Sequence, residues 1–391
     1  MLATFDVAAV RRRFSSLSKG FVFLDAPGGT QVPDEVGEAI KRALAEASGN
    51  LGAPYATGDA VAEILATAKS NAGRFLGCTA DEIVFGMNMT TLAFSLSRAS
   101  GREFGEGDEI LVTRLDHDGG VAPWVDLAED KGLVVNSIDV TRDLMLDLDD
   151  LERKLSPRTR VVSFAYASNG VGTIADARAI TELAHAAGAE VWVDAVHYAA
   201  HEPIDVAEID CDVLMCSPYK FCGPHLGIAY VKRELAETWR PYKARPSPND
   251  PVGRRFETGT LPFELLAGFN ATIDYLDSIG GISAIRAYER TLGERFLREL
   301  PEAVTLYGPQ TMEGRTPTFL INVEGVAAHD VATSLAAKGI GVWFAGNWYC
   351  VGLTELLPDE SVRIGFAHYN TAEEVDRLLA ELDSFASSAR G

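Results

Sequence analysis

The sequence predicts an α/β fold in which a large domain on a mostly parallel sheet of the seven-stranded type is followed by a smaller α+β domain at the C-terminus. Three observations carry this. Short apolar runs alternate with helical stretches from Ile83 onward, and two of those runs end on polar residues at what can be one rim. Beyond residue 262 the pattern changes to long helices and one strong strand. A chain of 391 residues is long enough to give each of two domains its own core.

The elements follow in order. Ile83-Val84-Phe85, Ile110-Leu111-Val112, Val134-Val135 and Val161-Val162-Ser163-Phe164 read as strands with helical stretches between them. A helix begins after Asp176 as N-cap, carries Ile180, Leu183, Ala184 and Ala187 on one face, and stops at Gly188. Residues 190–194 and 212–216 are apolar enough to be parallel strands buried on both faces. Ala229-Tyr230-Val231 follows too closely for a crossover, so that strand is expected to be antiparallel. A proline-rich loop over 245–251 precedes a boundary near Leu261-Pro262, giving a large domain over 15–262 and a small one over 263–391, with residues 1–14 packing on the latter. The small domain holds helices over 265–279 and 282–300 and a strand over 318–323. Its last helix opens with a capping box from Thr371 to Glu374 and presents Val375, Leu378, Leu379, Leu382 and Phe385 on one face.

The densest chemistry is Val193-Asp194-Ala195-Val196-His197, followed by Ser217-Pro218-Tyr219-Lys220-Phe221-Cys222-Gly223-Pro224-His225. An acid leaves one buried strand, and a lone lysine sits in a small aromatic turn after the next. In an open α/β sheet the carboxyl ends of the strands face the ligand crevice, so both groups look into one cavity. Pyridoxal phosphate needs this pair: a lysine that holds it as a Schiff base, and a buried carboxylate that keeps its ring nitrogen protonated. Singly, Asp194 could be a turn cap and Lys220 a solvated loop lysine; together they favour the cofactor. A phosphate group needs N–H donors, hydroxyls and a helix dipole, and Gly86-Met87-Asn88-Met89-Thr90-Thr91 supplies these where a strand passes into a helix.

These motifs resemble the class V aminotransferase group, in its cysteine-desulfurase-like branch of fold-type I pyridoxal-phosphate enzymes, over most of the chain from Phe23-Leu24-Asp25 to the last helix. The resemblance implies phosphate contacts from Thr90, Thr91, Ser217 and Thr260, the last given by a partner subunit, and therefore a homodimer with shared active sites. It implies that His117 stacks on the cofactor ring, with Tyr219 beside the lysine, and that His197 stands near the phenolic oxygen where desulfurases carry glutamine. It implies that Arg363, helped by Asn169, grips the carboxylate of a small amino-acid substrate; the apolar flanks of Arg363 suggest a half-buried strand. Two departures qualify it. Residues 50–55 lack the arginine and histidine that desulfurases place near substrate, and the segment from Trp343 to Cys350 does not reproduce their cysteine loop, which favours a structural Cys350 over a persulfide carrier. The leading reaction is Cβ–S cleavage, with epimerisation of the isopenicillin-N-epimerase type or transamination as rivals, and a non-catalytic binding protein as the rival of another class.

A net charge of −21 argues against nucleic acid and anionic membrane as partners. Five cysteines without metal-ligand spacing point to no metal site and to a reduced, cytoplasmic setting. Arg11-Arg12-Arg13 is followed by no long apolar run, so neither a signal peptide nor a membrane span is expected.

Overall fold

The computed structural model describes residues 5–346 and 349–389; residues 1–4 of the expected N-terminal packing segment, and Asn347 and Trp348 of the cysteine loop, lie outside the described residues. Seven strands form the main sheet in the spatial order Ile83–Gly86, Gly227–Val231, Val213–Cys216, Glu190–Asp194, Thr159–Ala165, Glu109–Thr113, Val134–Ile138. Gly227–Val231 alone runs against its neighbours, as the short connection requires. The expected α/β class with a mostly parallel sheet is what the chain adopts.

Apolar side chains cover both faces of this sheet. On one face Phe85, Val162, Phe164, Val191, Val193 and Leu214 share a core with helix Phe263–Ser278, whose Leu266, Phe269, Ile273 and Leu276 are buried there. On the other, Val84, Ile110, Val161, Trp192 and Val213 pack with helices Met89–Ser100 and Asp118–Lys131. The helix after Asp176 runs over Ala177–Ala186; the Asp176 side chain accepts from Ala179 N, and Gly188 has φ +81°, the left-handed stop expected there.

A four-stranded antiparallel sheet, ordered Trp343–Ala345, Ser361–Gly365, Thr318–Val323, Val304–Tyr307, lies beyond it. Its core of Phe319, Ile321, Val362 and Ile364 is covered by helices Gly281–Arg298 and Ala372–Ala389, the latter opened by reciprocal Thr371 and Glu374 hydrogen bonds of 3.2 Å. The N-terminal segment crosses between the two sheets. Phe5 stacks on Tyr288, Arg11 pairs with Glu374, and Val22–Phe23 runs parallel to Ile340–Gly341 before the chain turns into the site at Asp25.

Candidate active site

Strands Glu190–Asp194 and Val213–Cys216 are parallel neighbours, so the residues that leave them emerge at the same rim. One cleft there is lined by Met89, Thr90, His117, Asn169, Asp194, His197, Ser217, Tyr219 and Lys220. The Lys220 amine is buried above the Tyr219 ring, 4.8 Å from its centroid, and donates to the Pro27 carbonyl. It makes no ion pair among the described residues. Burial first, and the Arg363 guanidinium second, bring its ammonium down from 10.5 to about 8. Asp194 accepts from Val196 N at 2.9 Å through one oxygen, and its other oxygen has no hydrogen-bond partner among the described residues. Desolvation raises its carboxyl to about 6.

The helix Met89–Ser100 aims its N-terminus at the same cleft, where Ser217 Oγ accepts from Met89 N at 3.2 Å. Gly227 permits this approach, because a Cβ there would lie 2.5 Å from the Asn88 backbone. The helix is capped by Asn88, whose side chain accepts from Thr91 N at 2.8 Å. Thr90 lines the cleft; Thr91 is exposed and bonds back to Asn88 O, outside the lining.

His117 is the N-cap of Asp118–Lys131, its Nδ1 accepting from Gly119 N at 2.9 Å, and its ring stacks on Tyr349 at 5.5 Å. Desolvation, then Lys220 and Arg363, lower its pKa to about 4, so it is a neutral imidazole. Asp116 builds the turn that presents it, accepting from Thr113 N, Thr113 Oγ1 and Ala165 N at 2.6–2.7 Å. His197 is buried, with Nε2 3.1 and 3.0 Å from the hydroxyls of Thr316 and Thr318.

Arg363, on the antiparallel sheet, is not among the residues that line the cleft; it lies 3.1 Å from the carbonyl oxygen of the lining residue Asn169 and 2.8 Å from Asp25 Oδ1. At 2% exposure it is fully buried, a correction to the half-buried strand expected from sequence: a second sheet edge and Trp343, 5.2 Å from the guanidinium, cover it. Gly28 gives Asp25 its path to the arginine, since a Cβ at 28 would collide with the Asp25 carboxylate. Cys350 is buried, its Sγ 3.0 Å from Asn169 Oδ1, and burial holds its thiol far above the ordinary range.

Thr260 does not join this cleft within one chain. It is exposed beside a separate depression lined by Asn50, Arg254, Glu257 and Phe263. Sequence reasoning missed Pro27, Thr30, Asp116 and Asp25. Thr30 bridges the lysine turn, donating to Tyr219 O and accepting from Cys222 N at 2.7 Å. The Gly28-Gly29-Thr30 triplet after an apolar strand, and an acid next to His117, were the signals available.

The cleft suits pyridoxal phosphate on its own chemistry. A buried amine lacks an anion, a buried carboxylate oxygen lacks a donor, and a helix N-terminus with a serine and a threonine hydroxyl faces the space between. A family model, aminotransferase class-V, matches residues 22–378. The chain belongs to the class-V aminotransferase family. Members of that family are pyridoxal-phosphate-dependent enzymes, and this class-V protein is one of them. It is 35% identical over 326 residues to a probable cysteine desulfurase of Halalkalibacterium halodurans, covering 79% of each chain. It is 30% identical to probable cysteine desulfurase 2 of Mycobacterium leprae, covering 97% of this chain and 96% of the other. Among solved structures, the apo cysteine desulfurase of Thermococcus onnurineus NA1 superimposes with a TM-score of 0.92 at 26% identity, covering 97% of this chain and 98% of that one.

Proposed function

We propose that this class-V enzyme is a cysteine-desulfurase-like Cβ–S lyase that takes cysteine or a close small amino acid. The observation that carries the reading is the pairing, across one cleft, of an anion-free buried Lys220 with a half-satisfied buried Asp194. The cofactor, held at Lys220, supplies an electron sink for the bond-breaking at the substrate. Asp194 holds a proton at its ring nitrogen, and that positive charge gives the buried carboxylate the counter-charge it lacks. Ser217, Thr90 and the N-terminus of Met89–Ser100 would hold the phosphate, and the Thr91 hydroxyl braces their turn from outside by donating to Asn88 O. The neutral His117 covers the ring face, and Tyr219 supports the amine.

Arg363 and Asn169 bind the substrate carboxylate, with Asp25 fixing the plane of the guanidinium. Once substrate has displaced it, the Lys220 amine takes the Cα proton, for which a pKa near 8 suits it. The low basicity of His117 leaves Lys220 the base at this face. Thr260 reaches the phosphate of a partner subunit, which makes the enzyme a homodimer; five free cysteines agree with a cytoplasmic setting. Residues 15–262 carry the cofactor and residues 263–391 close over it, with helix Phe263–Ser278 and, beyond it, Ile282, Ile285, Ala367 and Tyr369 packing into the core of the large sheet.

The test is to supply L-cysteine to the cofactor-loaded enzyme and assay sulfide, alanine and pyruvate alongside D/L interconversion and amino transfer to keto acids. Sulfur release as the dominant product is expected. Interconversion or amino transfer without sulfur release would replace this reading with the epimerase or aminotransferase one.

A further inference from the structure

A chain of buried titratable side chains continues from the cleft into the protein behind His197. The ring of His201 meets that of His197 edge to face, with centroids 4.9 Å apart at 72°. His201 Nδ1 lies 2.7 Å from Glu289 Oε2 on helix Gly281–Arg298. Glu289 Oε1 lies 4.0 Å from His368 Nδ1, and His368 Nε2 is 2.6 Å from the Tyr275 hydroxyl. His201 and Glu289 are each 2% exposed.

A buried histidine–carboxylate pair is weak evidence for stability, because well-packed apolar residues of the same volume do as well or better. What such a pair does supply is a fixed orientation, and here it bears on one thing that faces the cleft. His197 has its Nε2 engaged by Thr316 and Thr318, and no hydrogen bond is made to Nδ1 among the described residues, so Nδ1 is the nitrogen left for a cofactor oxygen. The ring can keep that orientation only if it cannot rotate about its own bond. The two threonines hold one edge, and the His201 ring, itself anchored by Glu289, closes the other side.

We propose that His201 and Glu289 are positioning residues that hold the His197 imidazole in its cleft-facing orientation. The proposal rests on the reading that His197 acts at the ring oxygen of the cofactor. The charged and titratable groups around the unit come from every element packed on it. Lys220 and Arg363 face His197, while Glu202, His368, Cys222 and Tyr369 surround Glu289, with Arg286 3.1 Å from Glu202. Burial foremost, and then His201, Lys220 and Arg363, disfavour a charged His197, so the ring acts as a neutral donor.

A neutral N–H given to the cofactor oxygen stabilises the form in which that oxygen carries most charge, which is the form with the lysine linkage deprotonated. Loss or misdirection of the donor therefore raises the pH midpoint at which the visible absorbance of the bound cofactor changes. The experiment measures that midpoint in cofactor-loaded wild type, His197→Ala, Glu289→Gln, His201→Asn and the pairs with His197→Ala, with melting temperatures as a check on folding. His197→Ala is expected to raise the midpoint by about one unit, and Glu289→Gln and His201→Asn to raise it by a substantial part of that, with little further change in the double variants. If Glu289→Gln does not fold, His201→Asn carries the test. A midpoint moved by His197→Ala but unmoved by the other two overturns the positioning role. A midpoint that His197→Ala leaves in place overturns the reading of His197 itself, and the proposal with it.

Discussion

Lys220, in the cleft, and Arg363, against its lining residue Asn169, are two neighbouring buried cations, and the protein treats them in opposite ways. Lys220 has a backbone carbonyl and an aromatic face for company and no ion pair among the described residues, so its proton is loosely held, near 8. Arg363 is given Asp25 at 2.8 Å and the Asn169 carbonyl, so its charge is balanced and its plane is set. An amine that must be a nucleophile and base gains from a missing anion, because burial then favours the neutral form. A guanidinium that must grip a carboxylate has no neutral form to reach and gains from a fixed fork. One side of the cleft is built for reactivity and the other for grip.

The sharpest way to break that contrast is to remove the reactive cation. Lys220→Ala is expected to lose the borohydride-trappable visible band of lysine-bound cofactor, and turnover is expected to fall by roughly 10³-fold or more, the fold being retained by circular dichroism. A surviving trappable band would show that another lysine carries the cofactor.

Asp194→Asn keeps the shape and removes the charge on the same side. Cofactor should remain bound, and kcat should drop by about 10²- to 10³-fold under saturating substrate. Near-normal turnover would remove Asp194 from the role given to it above.

On the gripping side, Arg363→Lys keeps the charge but loses the planar fork. A loss of about 10- to 100-fold in kcat/KM, carried mainly by KM, is expected from two weakened charged hydrogen bonds. A drop confined to kcat would place Arg363 in the chemistry instead of in the grip.

The difference in proton affinity is directly measurable. Recombination of cofactor-free protein with pyridoxal phosphate needs the neutral amine, so its rate should climb with pH and level off above about 8. Below that midpoint it should fall about tenfold per pH unit, since the ammonium form is unreactive. A rate still climbing beyond pH 10 would mean that Lys220 has an ordinary ammonium.

The smallest effect is expected at Cys350, whose thiol is buried against Asn169 and strongly disfavoured as thiolate. Cys350→Ser should keep sulfur release within about threefold of wild type, because the hydroxyl preserves the contact and a buried, high-pKa thiol is a poor nucleophile. Loss of sulfur release, with a persulfide found on wild-type Cys350, would make the cysteine a carrier after all.

By itself the sequence determined the reactive half. Asp194 ends one buried strand and Lys220 sits in the turn just after the next, and the alternation of apolar runs with helices makes those strands parallel and aligned at their carboxyl ends. The Asp176 cap and the Thr371–Glu374 box were legible because each rests on contacts within a few residues, and the antiparallel strand Gly227–Val231 because its connection from Val213–Cys216 is too short for a crossover. Asn88 caps the phosphate-side helix by accepting from Thr91 N, a contact three residues long. The gripping half was legible as residue types and not as geometry. Arg363 meets Asp25 across 338 residues, His197 meets Thr316 across 119, and the Lys220 amine meets Pro27 across 193. Local pattern carries no record of which distant segments will meet; packing of the two sheets against the N-terminal crossing segment decided those partners, and with them which buried cation was left without an anion.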